Sequence, residues 1–124
     1  MVLVELINIL KSDTTLATLL GASVSNSKIM PMPLITQGIG YNFIPLTNNN
    51  EVQQSQFELT IINTELIRCC EIKEQLDKLL VTTGDDSLTD SITGCSQNGG
   101  GCWYDDVLKM YKLQANYTII EREC

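Results

Sequence analysis

The chain has 124 residues, a net charge of −7 and no histidine. That length predicts one domain, 1–124, with a core of its own, and a hydrophobic content of 44% excludes a mostly disordered chain. Acid without a basic stripe excludes a tight grip on a phosphate backbone, and the missing imidazole removes the commonest general base and metal ligand, which argues against an enzyme.

Residues 2–11 place Leu3, Leu6, Ile7 and Leu10 on one face of a helix. Glu5 and Asn8 interrupt the apolar stretch and no basic residue precedes it, so the segment reads as a helix rather than a secretory signal. No apolar run reaches the ~18 residues of a membrane span. The expected site of synthesis is the cytosol, where thiols stay reduced. Ser12 or Asp13 then caps a second short helix, with Leu16, Leu19 and Leu20 on its apolar side and Gly21 at its end.

After a loop over 22–27, Lys28-Ile29-Met30 reads as a short strand stopped by Pro31 and Pro33. Residues 41–47 form a second strand, in which Pro45 marks an edge position. Asn48-Asn49-Asn50 is a turn or hairpin tip. In the strand over 53–62, Phe57, Leu59 and Ile61 alternate with Glu58, Thr60 and Ile62.

Asn63 or Thr64 caps a helix over about 65–81, whose apolar face is Leu66, Cys69, Ile72, Leu76, Leu79 and Leu80. Glu74 and Lys78 are spaced as a favourable pair on its outer side. Residues 82–102 are polar and rich in turn formers, with a short strand near 91–93. The clearest strand is the last. Tyr111, Leu113, Ala115, Tyr117 and Ile119 face one way, and Lys112, Gln114, Asn116 and Thr118 the other. The order α-α-β-β-β-α-(β)-β predicts an α+β fold: a sheet of about four strands, mostly antiparallel or mixed, with helices packed on one face and long loops or hairpins between.

No catalytic constellation assembles. Cys95 and Cys102 are separated by six residues and have no second close pair, unlike a structural zinc site with its roughly four ligands. They define a flexible loop, GCSQNGGGC, and a hairpin there would bring the two sulfurs together. Gly99-Gly100-Gly101 lacks the Lys-Ser/Thr of a phosphate loop. Residues 85–90 lack the glycine and distal glutamate of a calcium loop. Cys69, on an apolar helix face, reads as a small core residue. No cofactor and no metal are expected.

The run LKSDTTLATLLG (10–21), then KIMPMPL (28–34) and YNFIPL (41–46), resembles the opening of small tail proteins of long-tailed phages. FELTIIN (57–63), ELIRCCEIKEQLDKLL (65–80) and YKLQANYTI (111–119) continue the pattern. The chain is thus similar to the tail terminator, tail completion and tail-to-head joining proteins. It departs from them in a glycine-rich stretch before the second strand and in the CSQNGGGC loop.

The resemblance implies a ring, usually a hexamer, that caps the finished tail tube at its head-proximal end. The partners it implies are other copies of the chain, the tail tube protein and a neck, head-completion or connector protein. DNA would pass through the lumen without specific binding, and no membrane is involved. In such a ring the residues expected at assembly contacts are Tyr41, Phe43, Pro45, Asn48, Asn49, Asn50, Glu51, Asn98, Gly99, Gly100 and Trp103. A head–tail connector or minor capsid protein of similar architecture is the alternative. A small ligand-binding regulatory domain is the alternative from another class.

Overall fold

The computed structural model of the chain describes residues 2–20, 29–32, 37–48, 52–82, 88 and 92–122. Its elements in chain order are α1 (Val2–Ser12), α2 (Thr14–Leu20), β1 (Ile29–Pro31), β2 (Gly38–Asn48), β3 (Val52–Asn63), α3 (Leu66–Leu80), β4 (Ile92–Asp105) and β5 (Met110–Arg122). The fold is α+β, with a five-stranded sheet in the order β1-β2-β3-β5-β4. All pairings are antiparallel except β1 with β2, which makes the sheet mixed.

The short helices follow local chemistry. Asp13 caps α2: its carboxylate accepts a hydrogen bond from the Leu16 backbone N–H at 2.7 Å. Gly21, expected at the end of that helix, lies outside the described residues. Before α3, the Asn63 side chain accepts from the Glu65 N–H at 2.9 Å. Glu65, rather than the expected Asn63 or Thr64, stands at the N-cap with no side-chain cap, and the helix starts at Leu66.

One cluster of buried side chains joins the layers. Leu6, Leu10, Leu16 and Leu20 come from the first two helices, and Cys69, Ile72, Leu76 and Leu80 from α3. They meet Ile39, Phe57, Leu59, Ile61, Leu113, Ala115, Tyr117 and Ile119 on one face of the sheet. Each fully buried aliphatic contributes roughly 1.5–3 kcal/mol relative to exposure. Leu66, expected on the apolar face of α3, is the first residue of the helix and is 41% exposed. The ion pair on α3 joins Lys73 to Asp77 at 2.9 Å. Asp77 also accepts a hydrogen bond from the Tyr117 hydroxyl at 2.7 Å, which pins α3 to β5.

On the side of β3 opposite Phe57, Leu59 and Ile61, Ile62 and Thr60 are buried as well, and across β2 they face Gly38 and Gly40. Residues 92–105 are not a loop with a short strand at its start. They form one strand, β4, paired with β5 nearly to its end. Pro45 sits where the register shifts between Pro45 and Thr47, on a part of β2 that β1 does not reach, since β1 covers only Ile39 to Tyr41.

Candidate assembly surfaces

β4 is an edge strand with two irregularities, between Ile92 and Gly94 and between Gln97 and Gly100. Each inserts one extra residue against β5. Side chains alternate along a strand, so Cys95 and Cys102, an odd number apart, would face opposite ways. The second bulge restores both to the helix-bearing face: Cys95 lies opposite Ile119 and Cys102 opposite Leu113. Glycine is required there. Gly100 has φ +143°, and a Cβ on it would lie 1.9 Å from the Gln114 carbonyl oxygen.

This strand settles the fate of the two cysteines. At ~3.3 Å rise per residue they stand roughly 20 Å apart, well beyond the reach of a disulfide. Cys69, Cys70, Cys95 and Cys102 are free thiols. Burial pushes the Cys95 thiol up to about 12, with Asp77 adding to the rise. Cys69 is pushed up to about 11, chiefly by burial and then by the nearby Cys102 and Cys70. Such thiols stay protonated and are poor nucleophiles at neutral pH.

Beside α3, the helix side of β4 leaves an open groove of about 450 Å³, lined by Lys73 of the helix and by Gln97, Gly99, Gly100, Gly101, Cys102, Leu113 and Gln114 of the strands. Among the described residues, no three His, Cys, Asp or Glu side chains gather as a metal site would require. The acidic stretch 85–90 lies outside the described residues apart from Leu88.

The other face of the sheet carries no helix, and two of its rows are rich in amides and hydroxyls. By register, Asn42, Glu58, Asn116 and then Gln56, Thr118 and Ser96 lie in adjacent rows. Glu58 accepts hydrogen bonds from Asn42 at 3.3 Å and from Gln56 at 2.9 Å. Asn98 donates to the Thr118 hydroxyl. Lys112, on the same face, is held by Asp105 at 3.1 Å. The Asp105 carboxyl is held below its ordinary range by hydrogen bonds from the Leu108 N–H, from Lys112 and from the Val107 N–H.

The expected contact residues fall into separate places. Tyr41 and Phe43 are half-buried on the helix side, with ring centroids 6.4 Å and 6.3 Å from Phe57. Pro45 and Asn48 lie on the far half of β2, opposite Ser55 and Gln53. Asn49, Asn50 and Glu51 lie outside the described residues. Asn98, Gly99, Gly100 and Trp103 share the β4 edge, where Trp103 is 44% exposed.

Some exposed apolar side chains missed by sequence reasoning lie at the same two margins, while Val4 and Ile67 lie on the helices. Met30, Met32 and Ile44 lie along β1 and β2, and Tyr104 and Val107 lie near Trp103. A short strand flanked by prolines cannot bury both of its faces. That signal was available for Met30 and Met32 in the sequence.

No known protein family matches the chain, and no curated protein matches it. Seven chains of solved structures do. One belongs to the virion of a native gene transfer agent particle, with a TM-score of 0.69 and 13% identity. The similarity covers 95% of this chain and 92% of that one. At this identity the likeness is one of fold, and it spans nearly the whole of both chains.

Proposed function

We propose that this chain is a structural subunit of a virion, closing head to tail into a ring, usually of six, at the head-proximal end of a tail tube. The ring stops tube growth and joins the tail to the neck of the head, and DNA passes through its lumen. The observation that carries this reading is the fold shared end to end with a chain of a virion particle. The tail-protein pattern in the sequence supports it independently.

The surface chemistry suits the role. A head-to-tail ring needs two different, complementary patches on each subunit, and apolar side chains mark two opposite margins of the sheet. Six copies would carry a net charge of about −42, which repels duplex phosphates. Two rows of the helix-free face offer amides and hydroxyls, a wall on which DNA would slide without sticking.

Light scattering of the cognate tube protein as it polymerises tests the proposal. Added at a substoichiometric ratio, the chain is expected to halt tube elongation. Tubes that grow to the same length with and without it would refute the role.

A further inference from the structure

The two margins of the sheet fit each other. Following the pairings across the sheet, β1 runs opposite to β4. A second copy moved sideways in the same orientation therefore brings its β1 antiparallel to the first copy's β4. Neither Ile29–Met32 nor Gln97–Tyr104 has an outward backbone partner among the described residues.

The side chains agree in face, and Met30 comes closest in height. Met30 pairs with Gly40, and that row continues through Thr60 and Gln114 to Gly101. Trp103 pairs with Lys112, in the row of Ile62 and Gly38. Trp103 and Met30 thus lie on the same helix-free face, two rows apart, or about 7 Å along the strands. Met30 is 50% exposed, Met32 38% and Trp103 44%.

Charge favours the same match. Natural sheet edges are usually blunted by charged side chains. Residues 95–104 and 29–32 contain none, although the chain as a whole carries −7. Two strongly acidic copies can approach most closely where neither bears charge. Pro31 withholds one donor from the β1 edge, so side chains rather than a full hydrogen-bond ladder carry the contact.

We propose that copies of this chain join through these margins, the Trp103 edge of one seated against Met30 of the next. The occupant of each margin is a second copy, and methionine against indole is a favourable pairing of polarizable sulfur with an aromatic ring. This rests on the ring reading and names its interface.

Two variants, Trp103→Glu and Met30→Glu, test it by sedimentation, with Val4→Glu, an exposed site on α1, as a control that should assemble normally. Each edge variant is expected to self-associate about thirtyfold more weakly than the native chain, with an unchanged circular dichroism spectrum. Mixed together, the two should form a one-to-one dimer that grows no further, because each supplies the edge the other lacks. If Trp103→Glu assembles as tightly as the native chain, or the mixture stays monomeric, the interface is wrong while the ring stands. If the native chain itself stays monomeric at every concentration, the ring reading falls as well.

Discussion

The centre of the sheet and its β4 edge are built from strands of similar length that behave differently. β3 pairs with β5 over its whole span, Val52 to Asn63, without a break in register, and its inner side chains are fully buried. β4 pairs with the same β5 through two bulges, carries Gly99, Gly100 and Gly101, and leaves Trp103 and Tyr104 exposed. The centre supplies stability. The edge strand buries Ile92 and Cys95 but leaves residues 96–104 exposed.

That contrast can be broken by substitution. Leu76→Ala, in α3 over the centre, removes a fully buried side chain and should cost about 3 kcal/mol, seen as a fall in melting temperature of roughly 10 °C. Trp103→Ala should cost the monomer no more than about 0.5 kcal/mol. Equal losses would erase the distinction. Gly100→Ala should fall between, at about 1–3 kcal/mol, because its new methyl group meets the Gln114 carbonyl. Hydrogen exchange should show the loss concentrated in β4, while β3 amides keep their protection. A neutral substitution would mean that the bulge has another geometry.

The smallest expected effect at working pH is on the thiols. Cys95 and Cys69 have raised folded values, about 12 and about 11 against an ordinary 9.0, so the folded state holds their protons more tightly than the unfolded chain. Their contribution is fully present below pH 9 and is lost as pH rises from there towards those folded values. Tyr117, buried and bonded to Asp77, is shifted in the same direction and adds to the effect. Chemical denaturation at a series of pH values should show a plateau up to about pH 9, then a decline, with no recovery from added reductant.

Much of the centre was legible in the sequence. The alternation of Tyr111 to Ile119 and the spacing of Cys69, Ile72, Leu76 and Leu80 each match a single period, and burial follows that period. The edge was not legible for a physical reason. Two one-residue insertions reset the alternation of β4, and glycines stand where side chains would reveal a pattern, so Gly94 to Cys102 reads as a loop. The expected contact residues were partly visible. Trp103 stands out as an aromatic among polar neighbours, whereas Tyr41 and Phe43 proved to pack on Phe57 and to leave only part of their rings outside.

Negative-stain electron microscopy of the purified native chain tests the central claim most directly. The account predicts uniform rings with an axial opening, whose population grows with protein concentration. Single small particles at every concentration, with no closed assembly even beside tail tubes, would contradict it.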